Sequence, residues 1–185
     1  MEKENWYILQ TEKGREYDSA RLLDRAVPAS LCGLWSIPKK IKPFRHGGVY
    51  YAAEEIMFPG YVFVCTGYPG KLHKELQKSR EFPQFTVFGK NELGEDELIP
   101  ISAPDLLFLQ KVCGAKLQLP MGLTDVTLGE DRRILKARGV LEQYMGQIVK
   151  LNLHKRVAVT RVYLFNRSQE IFFGIRLEQD RYCAG

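Results

Sequence analysis

Lys150, His154, Lys155, Arg156 and Arg161 fall between Glu142 and Glu170, a stretch with no acidic residue. Such residues do not make or break bonds by themselves. They suit the holding of a polyanion, because each phosphate neutralised by Lys or Arg releases condensed counterions. A second basic group, Lys39, Lys40, Lys42 and Arg45, surrounds the turn His46-Gly47-Gly48. There it could meet a nucleic-acid backbone through phosphate contacts that position rather than specify. The +5 formal charge is uneven: residues 1–126 carry 16 Lys and Arg against 16 Asp and Glu, and residues 127–185 carry 11 against 6. A solvated basic face would look the same, so charge alone leaves both readings open. Apolar contact is the other chemistry on offer. Trp6-Tyr7-Ile8-Leu9-Gln10 and Phe58-Pro59-Gly60-Tyr61-Val62-Phe63-Val64 are β-prone words carrying rigid aromatics, which give contact area at small entropic cost. Aromatics on strands also fill cores.

Bond-making chemistry has no comparable signal. The sequence has no Gly-rich phosphate loop, no His-x-x-x-His pair and no Ser or Cys in a nucleophile signature. Glu54 and Glu55 are consecutive on an expected strand, so they point to opposite faces and do not converge. Cys32, Cys65, Cys113 and Cys183 lie far apart with no Cys-x-x-Cys, which reads as four reduced thiols rather than a zinc site or disulfide framework. The expectation is a protein that is not an enzyme, with no catalytic residue, metal or cofactor. No run of eighteen apolar residues spans a bilayer, and the opening Met1-Glu2-Lys3-Glu4-Asn5 is too polar to begin a secretory signal, so a cytoplasmic address is expected.

These residues need elements to hold them. Trp6 to Gln10 reads as a strand, followed by the turn Thr11-Glu12-Lys13-Gly14 and a helix through Arg25 whose Tyr17, Ala20, Leu23 and Val27 face a sheet. Pro28 stops it. Leu34 to Pro38 is short and extended. A hairpin with a basic tip follows, its returning arm Val49 to Ile56. Tyr61 to Cys65 is a buried strand, Pro69 to Phe82 holds a short helix, and Phe85 to Gly89 is a further strand. Ser102 caps a helix with Pro104 in its first turn, Asp105 reaching back, and Leu106, Leu109 and Val112 inward. Residues 114–126, with Pro120 and Gly122, show little period and are expected to link two units. Beyond them, Ile134-Leu135-Lys136, Ile148 to Leu151, Val157 to Phe165 and Glu170 to Leu177 predict a small barrel. Ala158, Thr160, Val162 and Leu164 would point inward, and Asn166 would accept positive φ at a hairpin tip.

Together the Trp6-Tyr7 opening, the Phe58-Pro59-Gly60-Tyr61-Val62 word and the basic C-terminal segment resemble the NusG family of transcription elongation factors over almost the whole chain. The segment Ile148-x-Lys150-Leu151-x-x-His154-Lys155-Arg156-x-Ala158, with the Leu177-Glu178 ending, is similar to LoaP-type antiterminators. The resemblance implies an α+β architecture: an N-terminal (NGN) domain over 1–113, a linker over 114–126 and an all-β KOW barrel over 127–185. It implies a monomer, with Trp6, Phe58, Pro59 and Tyr61 docking on the clamp helices of bacterial RNA polymerase. Lys150, His154, Lys155, Arg156 and Arg161 would contact RNA such as a leader hairpin, and on a factor bound across the polymerase cleft Lys39, Lys40, Lys42 and Arg45 could meet upstream DNA or the exposed non-template strand. Where housekeeping members carry Gly-Pro-Phe and Phe-Gly-Arg, this chain has Gly139-Val140-Leu141 and Phe165-Asn166-Arg167, which puts partnership with the terminator Rho or a ribosomal protein in doubt. The expected function is processive antitermination at selected, biosynthetic operons. A general elongation factor coupled to Rho or the ribosome, and a ribosomal-type RNA-binding module, stand as alternatives.

Overall fold

The computed structural model describes residues 3–86, 88–90, 92–94 and 96–183. Its first unit is built on an antiparallel sheet of β1 (Asn5–Gln10), β2 (Leu34–Ser36), β5 (Tyr61–Thr66) and β6 (Gln84–Phe85), in the order β2-β5-β1-β6. Trp6 opposes Cys65 and Ile8 opposes Phe63, so alternate residues divide between two faces. Tyr7, Leu9, Val62 and Val64 pack under α1 (Glu16–Ala26) and α2 (Pro69–Leu76). Trp6, Ile8 and Phe63 pack on the other side, with α3 (Ala103–Cys113) and the second unit. Burial on both faces is why β5 reads as a continuous apolar run.

The basic hairpin forms as expected, from β3 (Lys39–His46) and β4 (Val49–Ile56). Gly47 and Gly48, at φ 58° and 83°, make the turn that twisted strands require. On α1 the expectation is corrected at one position. Tyr17 is 41% exposed and Glu16 is buried in its place, because positions 16, 20, 23 and 27 share a helical face and 17 lies about 100° off it. The strand expected over Phe85 to Gly89 is divided into β6 and β7 (Phe88–Lys90), the latter paired with β8 (Asp96–Leu98). Val87 between them lies outside the described residues. Ser102 caps α3 as its spacing predicts, accepting the Asp105 N–H at 3.3 Å.

The second unit is a five-stranded barrel in the order β10-β9-β13-β12-β11, from β9 (Thr124–Leu128), β10 (Ile134–Ala137), β11 (Ile148–Asn152), β12 (Val157–Leu164) and β13 (Arg167–Arg176). A 3₁₀ helix over Gly139–Gln147 joins β10 to β11. Ala158, Thr160, Val162 and Leu164 face the barrel interior as predicted. Residues 114–123 form a strap packed on the first unit, and the first barrel strand begins at Thr124. Leu117 is fully buried, with its carbonyl accepting the Ser36 hydroxyl. Met121 pairs with the edge of β3, its carbonyl taking the Ile41 N–H and its N–H reaching the Lys39 carbonyl, each at 2.8 Å. The strap thereby covers part of an edge otherwise open to other strands.

Candidate functional site

The Phe58-Pro59-Gly60-Tyr61 loop enters β5 through Gly60, whose φ of 89° favours a residue without Cβ. Its N–H donates to the buried Glu16 carboxylate at 2.7 Å, and its carbonyl accepts the Thr11 N–H at 2.8 Å. Burial pushes the Glu16 carboxyl up, but N–H donors from Glu16 itself, Gly60 and Gly14 outweigh it and hold the group below its ordinary range. Glu16 thus anchors the loop to the start of α1. Nothing in its spacing marks it, apart from the preference for acids in a helix's first turn.

Of the four aromatic-face residues, Trp6 is 6% and Phe58 is 7% exposed, Tyr61 is half-buried and Pro59 is exposed. The cover over Phe58 comes from the second unit. Phe165, at the β12–β13 hairpin tip, sets its ring edge-on to Phe58 at 5.4 Å and tilted to Phe63 at 6.0 Å. Phe58 and Phe63 are themselves 5.8 Å apart. The Phe165 N–H donates to the Asp105 carboxylate of α3 at 3.0 Å, so Asp105 ties the two units together. Phe165 and Asn166 lie at φ 54° and 60°: Asn166 takes the positive φ expected of it, and the turn also takes in Phe165, expected as the last residue of the strand. A bulky residue is uncommon at such φ, and here it is held by what its ring touches.

Other contacts join the units away from this tip. At Gly174 on β13 a Cβ would lie 2.6 Å from the Ile41 carbonyl oxygen, so that backbone approach needs glycine. The C-terminal segment returns to β4: Tyr50 donates its N–H to Arg181, Cys183 donates to Tyr50, and the rings of Tyr50 and Tyr182 stack at 5.5 Å.

The basic candidates separate into two sets. Arg156, expected to contact nucleic acid, is engaged within the fold. Its guanidinium makes a bidentate pair with Asp180, 2% exposed, at 2.5 and 2.8 Å, donates to the Leu153 carbonyl and lies 5.0 Å over Tyr50. The hydrogen bond to Asp180 raises its pKa further. Lys39 and Lys40 are likewise engaged, Lys39 with Glu54 and Lys40 with Glu55 at 3.3 Å. Lys42 pairs with Glu55 at 2.9 Å, Arg161 with Glu170 at 3.5 Å, and Arg45 lies over Tyr50 at 5.6 Å. Glu54 and Glu55 do lie on opposite faces, and they neutralise the hairpin lysines from there. Lys150, His154 and Lys155 are exposed, and among the described residues no ion pair involves them. Lys40 and Lys42 of the first unit and Lys150 and Lys155 of the second line one cleft of about 750 Å³, with Phe172 on its wall.

Burial pushes the Cys32 thiol up to about 11 and the Cys113 thiol up to about 12, so neither supplies a thiolate at neutral pH. Among the described residues no group of three His, Cys, Asp or Glu could hold a metal ion, and no helix is long and apolar enough to cross a membrane.

No protein-family model and no curated protein matches the sequence. Among solved structures, the chain is similar to NusG from Thermotoga maritima, a structure described as a domain interaction in that protein. The match has a TM-score of 0.51 and 18% identity, and covers 92% of this chain and 93% of that one. The fold is NusG-like. Because the match spans both units, the NusG-like assignment takes in the α+β first unit and the barrel alike.

Proposed function

We propose that this chain is a transcription elongation factor that binds the clamp helices of bacterial RNA polymerase through Trp6, Phe58, Pro59 and Tyr61. On this reading it acts as a processive antiterminator at selected operons, with the barrel contacting leader RNA. The observation that carries it is the Phe58–Tyr61 loop, locked by Glu16 on a NusG-like fold and covered by Phe165 of the second unit. Phe165 is a single ring on a two-residue turn, so an apolar pocket on a partner could take its place against Phe58. The docked form holds Phe58 away from solvent, and polymerase binding then selects the undocked form. Once bound, preference for the active polymerase over paused states would oppose termination. Because the barrel stays joined to the first unit, even a weak RNA contact acts at high effective concentration. The first test is capture of purified core RNA polymerase by wild type and by a Phe58→Ala/Tyr61→Ala variant. Retention by wild type and loss in the variant are expected; equal retention, or none by wild type, refutes the polymerase assignment. Terminator readthrough with and without leader RNA tests antitermination, and unchanged readthrough refutes it.

A further inference from the structure

The cleft of about 750 Å³ between the units falls within the size of small-ligand sites, roughly 300–1,000 Å³. Its wall on the barrel is a cross-strand row: Lys150 opposes Val159, which opposes Phe172. Neighbours in such a row lie about 4.8 Å apart, so Lys150 and Phe172 flank one strip of surface. Ile41, Pro43 and Met57 of the first unit form the facing side. Phe172 is 44% exposed although it sits over this apolar floor, and the Lys40 ammonium lies 4.8 Å from its ring centroid. The three carboxylates lining the cleft are engaged: Glu16 with the Gly60 N–H, Glu55 with Lys40 and Lys42, and Glu170 with Arg161. Lys150 and Lys155 are the lining cations left without a carboxylate among the described residues.

We infer that this cleft takes unpaired nucleotides of RNA, a base stacking on Phe172 while Lys150 and Lys155 hold the flanking phosphates. An exposed aromatic ring beside unpaired cations matches a base and its backbone, and stacking tolerates any base because each has a π face. A duplex hides those faces, and an acidic peptide would use the lysines but not the ring. The site exists only while the units are docked, since its two walls belong to different units. The inference rests on the reading of the barrel as a nucleic-acid contact and concerns the free, docked form; the leader contact of the polymerase-bound form would use the barrel alone.

The test uses the full chain and fluorescence anisotropy with a single-stranded RNA of about eight nucleotides, a blunt duplex of the same sequence and a poly-glutamate peptide. The single strand should bind most tightly. Phe172→Ala should weaken it roughly 5- to 100-fold and Phe172→Tyr, which keeps the ring, by less than about twofold. Lys150→Glu with Lys155→Glu should weaken binding and flatten its salt dependence. Thermal melts check that each variant folds. Unchanged binding by Phe172→Ala, equal loss in Phe172→Tyr, or equal affinity for duplex or peptide overturns the inference. If wild type binds RNA but Phe172→Ala is neutral, this inference alone falls. If wild type binds neither RNA, the RNA part of the proposed function falls with it.

Discussion

Replacing Phe165 by Asn should uncover Phe58 without damaging the barrel, because Asn accepts the positive φ that the turn imposes at this position. The substitution removes two ring contacts, to Phe58 and Phe63. Each is worth about 0.5–1.5 kcal/mol beyond its area, so the docked form loses roughly 2 kcal/mol or more. At 1.4 kcal/mol per tenfold, the undocked fraction rises about 30-fold while docking still dominates. Apparent affinity scales with the competent fraction, so binding to core polymerase should tighten by about the same factor. The measurement is a titration of labelled protein with core polymerase, with amide hydrogen exchange at the contact between the units to follow the undocked fraction. If exchange there speeds up and affinity is unchanged, the Phe58 face is not what polymerase binds. Unchanged exchange would mean that Phe165 does not hold the docked form.

Gly174→Ala should separate the units by a different contact, because the added Cβ meets the Ile41 backbone and Pro43. Overpacking there should weaken docking by about 1–3 kcal/mol and raise polymerase affinity as Phe165→Asn does; an effect on thermal stability alone would argue against shared control. Arg156→Met should lower stability by about 3–5 kcal/mol in denaturant titrations, since it strands the buried Asp180 carboxylate. RNA affinity per folded molecule should not change, and a variant with wild-type stability but lost RNA binding would return Arg156 to the nucleic-acid surface. Glu16 has a folded pKa held below its ordinary 4.5, so its stabilisation is fully present above that pH and disappears as pH falls through the depressed value. The stability gap between wild type and Glu16→Gln should therefore close in acid, and a gap independent of pH would remove the carboxylate from loop anchoring.

Local rules made much of this fold legible. Alternation placed the inward residues of β12, two glycines set the β3–β4 turn, Ser102 marked the start of α3, and Asn166 marked a tip. Each signal acts within a few residues, where propensity and hydrogen bonding are decided by neighbours. What escaped depends on partners distant in sequence. Residues 114–126 have no period because Leu117 and Met121 are each held by a separate neighbour, Ser36 and β3, rather than by one repeating face. The basic clusters look equivalent as strings, yet Lys39 and Lys40 oppose a strand that carries two glutamates, and Arg156 finds Asp180 across 24 positions.

The aromatic face shows how sequence and tertiary structure divide the information. Pairing of β1 with β5 brings Trp6 and Phe63 to one side of the sheet, a consequence of alternation that the two words already contain. Phe58 joins them through the loop that Glu16 holds. That Phe165 lies on top has no local signature, because a hairpin tip is normally polar and exposed. Its apolar ring at positive φ runs against the preference of the turn, and the conflict is offset by the ring contacts with Phe58 and Phe63 and by the Asp105 carboxylate on its N–H. A residue that breaks a local rule is expected at a functional or strained site, and here the strained residue is held by a contact between units. The same docking that hides Phe58 also builds the cleft of Phe172, Lys150 and Lys155. If both assignments hold, single-stranded RNA in the cleft and polymerase on the aromatic face favour opposite states, so each must weaken the other by an equal factor.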